Sequence, residues 1–353
     1  MTRSKMLPTK TLPVKTSPAK TPPAKTFLAK TFPGLLAPSA AGLLVAGMLA
    51  AGLGAPGAEA ASVTSSCRTI RLAAASWVDN EVQNAVFSTV VGHLGYTVTS
   101  NTYSVPIIYA GLKDNQADLF LDNWMPAQKA MRDRYVKQKA IDVIGPDLTG
   151  AKYTLAVPAY LYDKGLKTFA DIHKFADQLH HKIYGIESGA PGNVSIQKMI
   201  KDDKYDLGSF HLVASSAAGM LAEVQRRYRR HEPIVFLGWE PHPMNIEFKI
   251  RYLTGGAKYF GPHEGAATVY IVTRRGYAKD CPNLGRLLGN FRLTVGAENK
   301  MMYQIKVKKQ APDAVAAHWL AAHPGWIKTT LQGVTTTGGK QGAAPVLAAT
   351  GQG

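Results

Sequence analysis

The chain lacks the common signatures of an enzyme. Its 353 residues contain no G-x-x-x-x-G-K-[ST] loop to cradle a nucleotide phosphate, no G-x-S-x-G elbow, no H-E-x-x-H pair and no Cys–His arrangement suited to a thiol nucleophile. Those absences exclude nucleotide-driven work and the usual hydrolase mechanisms, and no residue set calls for a cofactor or a metal. An apolar run long enough to cross a membrane is also missing. The best candidate, residues 40–53, falls short of the roughly 20 residues required, and no lipobox cysteine follows it. A soluble mature protein is therefore expected rather than a lipid-anchored one. Cysteine is scarce, with only Cys67 and Cys281. In an oxidising compartment two cysteines usually form one disulfide, and a catalytic thiol is the weaker reading.

The first sixty residues read as a leader. A Lys-Thr pair recurs every five residues at Lys10, Lys15, Lys20, Lys25 and Lys30, in a basic, Pro-rich stretch that cannot bury a core. The apolar run follows, then Ala58-Glu59-Ala60 as an A-x-A cleavage site. Basic, apolar, small is the order of a secretory signal peptide, so export with cleavage near Ala60 is expected. The basic region is unusually long, which a later start codon such as Met6 would explain. The formal net charge of +17 is partly a leader effect. Seven of the 41 basic residues and one of the 24 acids lie in residues 1–60, leaving 34 against 23, or +11. Some of that charge clusters in Arg226-Arg227-Tyr228-Arg229-Arg230-His231. A solvated helix end accounts for the cluster. An exported protein seldom meets nucleic acid, so no nucleic-acid partner is expected.

From residue 68 apolar strands alternate with helical segments. Strands are expected at 69–75, 96–105 and 117–121, helices at 81–95, 106–115 and 125–137. A second set begins with a strand at 151–157. It continues through strands at 182–186, 210–214 and 234–239 and a helix at 217–228. Residues 267–273 read as a returning strand at the edge of the first sheet, followed by C-terminal helices. This is an α/β pattern of parallel βα units in two sets. The expected organisation is a leader over 1–60, one lobe from 61–150 and 253–334, a second lobe over 151–252, and a flexible tail over 335–353. A Cys67–Cys281 disulfide fits it, because both cysteines fall in the first lobe. Two lobes with two crossings between them describe a hinged binding protein with a ligand cleft.

Aromatic residues stand at the strand ends. Trp77 ends the run Ile70-Arg71-Leu72-Ala73-Ala74-Ala75, and Trp124 follows Asp118-Leu119-Phe120-Leu121-Asp122-Asn123. Trp239 closes Pro233-Ile234-Val235-Phe236-Leu237-Gly238 and precedes a loop stiffened by Pro241 and Pro243. Open α/β sheets bind ligands at that end of their strands. A single tryptophan is more often a packing residue, and Trp319 and Trp326 are assigned to packing. Three at three strand ends, joined by Tyr153, point to a cage for an organic cation whose charge is spread over methyl groups. Asp79 is placed to offset that cation or accept a hydroxyl hydrogen bond, and Asn193 to hold a polar tail. Asp122 and His242 are candidate supporting residues behind the cage.

The segments Leu121-Asp122-Asn123-Trp124-Met125-Pro126, Gly150-Ala151-Lys152-Tyr153-Thr154-Leu155-Ala156 and 235–245 resemble those of the periplasmic glycine betaine/choline-binding proteins of ATP-driven importers, and most of all the choline-binding branch. The resemblance covers residues 67–334. It implies a four-aromatic box of Trp77, Trp124, Tyr153 and Trp239 around a trimethylammonium group, with Asp79 and Asn193 on the ligand hydroxyl and a Cys67–Cys281 disulfide. It also implies a periplasmic monomer that captures choline for an inner-membrane permease. Two departures stand out: Asp122 occupies a position where the family usually has Gly, and Ala190-Pro191 replaces a more polar pair before Asn193. Asp79 would repel a ligand carboxylate, which favours choline over glycine betaine or carnitine. A hydrolase of choline esters and a receptor-linked sensor are the remaining readings.

Overall fold

The computed structural model describes residues 64–351, so the basic repeat, the apolar segment and the cleavage site near Ala60 lie outside the described residues. In chain order the described strands are β1 (Thr69–Ala74), β2 (Thr97–Thr102), β3 (Leu119–Met125), β4 (Ile141–Pro158), β5 (Lys182–Tyr184), β6 (His211–Val213), β7 (Phe236–Glu240), β8 (Ile250–Tyr252) and β9 (Ala266–Arg274). They form one mixed sheet in the order β2-β1-β3-β9-β4-β7-β5-β6, with β8 pairing along β4. Strands β1, β2 and β3 are mutually parallel, and so are β5, β6 and β7. Helices Val78–His93 and Val105–Lys113 make the crossovers of the first group, Pro191–Lys201 and Ala217–Arg229 those of the second. Between the two groups, β9 runs antiparallel to both β3 and β4. This is the α/β, two-lobe type of fold expected from the alternating pattern.

Three elements differ from the sequence reading. Strand β9 lies in the middle of the sheet, between β3 and β4, and not at an edge. Strand β4 starts ten residues before the expected 151, at Ile141, and runs for 18 residues. Its first half is irregular: Gly145, Pro146 and Gly150 break the alternation, and its register with β9 shifts three times. Bulges of this kind hide a strand from a period-2 reading. The helix expected from 125 begins at Lys129, because Met125 completes β3.

Both faces of the sheet are covered, and β3 shows how. Leu119 and Leu121 enter a core with helix Val78–His93 and the C-terminal helices, whereas Phe120 points into a core on the other face. That is the two-residue alternation of a pleated strand. Asp118, at the start of β3, ties neighbouring strands together. It accepts bonds from the Arg71 side chain at 2.7 and 3.1 Å and from Arg274 Nε at 2.9 Å. Burial alone would raise its carboxyl, but the two guanidinium groups hold it below the ordinary carboxylate range. The basic cluster closes helix Ala217–Arg229, where Arg226 and Arg227 pair with Glu223 and Arg227 also donates to Tyr184 Oη at 3.0 Å. The tail is not loose. Helix Ala343–Ala349 packs on the first core with Val346 fully buried, and Thr337 N–H donates to Leu94 O at 2.8 Å.

Cys67 and Cys281 form a disulfide with a Cα–Cα distance of 5.7 Å across a sequence separation of 214. Both are buried in the core that contains β1 and the C-terminal helices. The chain-entropy model gives a ceiling of roughly 5 kcal/mol for so long a loop. Replacing both cysteines by serine should lower the denaturation midpoint by a measurable part of that amount. Unchanged urea unfolding would show that the bridge adds no stability.

Candidate functional site

Trp77, Asp79, Trp124, Tyr153 and Trp239 line one cavity, with Ala127, Gln128, Ile186 and Pro191 completing it. The sheet brings the aromatics together. Tyr153 on β4 and Trp239 on β7 are direct cross-strand partners, so their side chains leave the same face side by side. Trp124 on β3 pairs with Val269 of β9. Strand β9 separates β3 from β4, and the Trp124 and Tyr153 rings lie 5.9 Å apart between centroids. Trp77 enters from the loop after β1 and caps helix Val78–His93.

The polar edges of the rings are satisfied away from their π faces. Trp77 Nε1 donates to Glu187 Oε1 at 2.8 Å, and Trp124 Nε1 donates to Asp122 Oδ1 at 2.7 Å. Tyr153 Oη accepts the Gly192 N–H at 3.1 Å. That approach requires glycine, because a Cβ at 192 would sit 2.5 Å from Tyr153 Oη and 2.6 Å from Leu237. Burial raises the Tyr153 phenol, so the ring stays neutral.

Asp79 is buried in the first turn of helix Val78–His93, and its Oδ1 has no hydrogen-bond partner. Burial pushes its carboxyl up to about 7, against the pull of the Asp79 and Asn80 backbone N–H groups, and Glu187 adds to the rise. Asp122 is fully buried behind Trp124. Burial first, then Asp79, Asp147 and Glu298, push its carboxyl well above the ordinary value.

The other two expected residues are engaged elsewhere. Asn193 Oδ1 accepts the Ile186 N–H at 3.0 Å, and its Nδ2 donates to Ile186 O and Glu187 O. Its amide is spent on the turn's own backbone, and Asn193 does not line the cavity. His242 Nδ1 accepts the Met244 N–H at 3.0 Å, and its ring stands edge-on to Trp239 at 4.9 Å. Burial lowers the imidazole to about 3, which keeps it neutral.

Gln128 and Glu187 were not singled out from sequence. Gln128 bonds Asp122 O through Nε2 and accepts from Tyr109 Oη, which fixes the turn after Trp124. Its position four residues after a strand-end tryptophan was the available signal. Glu187 meets Trp77 from 110 residues away, and nothing in the local pattern reveals that pairing. The cavity thus offers aromatic faces and one carboxylate, and no Lys, Arg or nucleophile lines it. That chemistry suits an organic cation that cannot donate hydrogen bonds.

A family model described as the substrate binding domain of the ABC-type glycine betaine transport system, OpuAC, matches residues 68–322. A solved structure of an ABC-transporter choline binding protein in complex with choline is 42% identical with a TM-score of 0.80, over 81% of this chain and 99% of that one. An ABC-transporter choline binding protein in an unliganded semi-closed conformation is 43% identical with a TM-score of 0.76, over 81% and 100% of the two chains. The glycine betaine/carnitine transport binding protein GbuC of Listeria monocytogenes is 27% identical over 165 residues, which are 47% of this chain and 54% of that protein.

The raised Asp79 carboxyl has a consequence for stability. Between its ordinary value of 3.8 and about 7, the folded protein keeps a proton that the unfolded chain has lost. Asp79's contribution to the stability of the ligand-free protein should therefore fall as pH rises through that window and level off above it. Thermal unfolding at a series of pH values checks this, and Asp79→Asn should flatten part of the slope. An identical slope in the variant would mean that other buried acids carry it.

Proposed function

The chain belongs to the substrate-binding domain family of ABC-type glycine betaine transport systems, and from that premise we propose that it captures choline in the aromatic cavity and delivers it to a membrane permease. It is a binding protein of an ABC glycine betaine/choline transporter, and its relatives are transport proteins rather than enzymes. The observation that carries the choline reading is the cavity itself: four aromatic rings and a buried carboxylate with no cationic side chain in the lining. A trimethylammonium group gains about 0.5–2 kcal/mol per desolvated ring face. Asp79 supplies the counter-charge and accepts the choline hydroxyl. The likeness to a choline binding protein in complex with choline supports the same reading.

Residues 61–150 and 253–334 would form one lobe and 151–252 the other, closing on the ligand by rotation about β4 and β9. The protein would act as an exported monomer in the periplasm, released from its leader near Ala60. A second reading, glycine betaine or carnitine binding, is favoured by the family description and by the likeness to GbuC. Those ligands carry a carboxylate, and no Lys or Arg lines the cavity to receive it.

Calorimetry on refolded, ligand-free protein separates the two readings. Tight choline binding with weak betaine binding is the expected result, and a betaine preference would reverse the assignment. Trp239→Ala should weaken choline by roughly tenfold or more while the protein stays folded. Asp79→Ala should weaken choline more than glycine betaine, and equal loss would remove Asp79 from the hydroxyl.

A further inference from the structure

Glu187 lies outside the proposed cage and touches it through Trp77. It follows β5, whereas Trp77 follows β1, and the β9–β4 pair stands between those two strand groups. The Trp77 indole N–H reaches across to Glu187 Oε1 at 2.8 Å. The Glu187 backbone is fixed in turn, because its carbonyl accepts the Ala190 N–H at 3.1 Å and Asn193 Nδ2 at 3.1 Å. Its second carboxylate oxygen, Oε2, is buried and has no hydrogen-bond partner. A buried carboxylate oxygen left without a donor is costly unless something nearby compensates it. The adjoining cavity contains a second carboxylate, Asp79, and no cationic side chain.

We propose that Glu187 is a specificity-determining residue: it ties the loop after β5 to Trp77 across the cavity, and its charge rejects ligands that carry an anionic group beside the trimethylammonium. This rests on the choline reading above. A cationic ligand with a neutral tail compensates both Asp79 and Glu187. A zwitterion of the same size brings a third carboxylate into a dry site that already holds two, so like charges oppose it. The choline-to-betaine preference then comes from repulsion built into the loop after β5, as well as from attraction in the cage.

Glu187→Gln isolates the charge, because the amide oxygen still accepts the Trp77 N–H. Calorimetry with choline and with glycine betaine should show the choline-to-betaine affinity ratio falling by roughly tenfold relative to wild type. Glu187→Ala should show the same fall and, with that tie gone, faster choline release in stopped-flow fluorescence. Glu187→Asp retains the charge, so it should preserve the ratio even where its shorter reach speeds release. A purely structural role would change both affinities together and leave the ratio alone. An unchanged ratio in Glu187→Gln, with wild type binding choline, overturns the inference and leaves the function intact. Wild type that binds neither ligand overturns the choline reading itself, and this inference with it.

Discussion

The antiparallel pairing of β9 with β4 is the constraint on which the other features depend. It joins the two parallel βα groups into one sheet, and the same junction sets the site. It places β9 between β3 and β4, and the Trp124 and Tyr153 rings meet at 5.9 Å between centroids. The far edge of β4 pairs with β7 in the one register that puts Tyr153 opposite Trp239. A slip of one residue would turn every β7 side chain to the other face and dismantle the group. The irregular first half of β4 is tolerable because its bulges fall before this pairing begins.

Charge placement follows from the same geometry. Asp79, Asp122, Asp147 and Glu298 are all buried, and burial pushes each above its ordinary carboxylate value; Glu187 adds to the rise at Asp79, and neighbouring acids of the group add to it at the other three. Elsewhere the protein pairs its buried acid, as at Asp118 with Arg71 and Arg274. Asp79, which lines the cavity, has no such ion pair among the described residues. A guest that brings positive charge without hydrogen-bond donors would favour the ionised form of Asp79 and suits the aromatic faces beside it. The proposed function uses that imbalance, and Asp122 belongs to the same field through its bond to the Trp124 indole.

Much of this was legible in the sequence, for identifiable reasons. Buried parallel strands announce themselves as apolar runs, so β1, β3 and β7 and the tryptophans at their ends could be placed from pattern alone. Asp79 followed from its distance of two residues from Trp77. Other features escaped because local pattern does not encode them. The central place of β9 is a matter of topology, and the first half of β4 is masked by Gly145, Pro146 and Gly150. Asn193 has the right residue type in the right turn, yet its amide closes hydrogen bonds with its own loop. Glu187 gains its importance only when a residue 110 positions earlier is brought against it.

The central claim is that the cavity recognises positive charge through aromatic faces. Its most direct test compares choline with 3,3-dimethylbutan-1-ol, which has the same shape and hydroxyl but carbon in place of the quaternary nitrogen. Titration calorimetry of the refolded protein should show choline binding at least roughly tenfold more tightly than the neutral analogue. Equal affinities would mean that the pocket selects by shape and apolar burial alone, and would contradict the account.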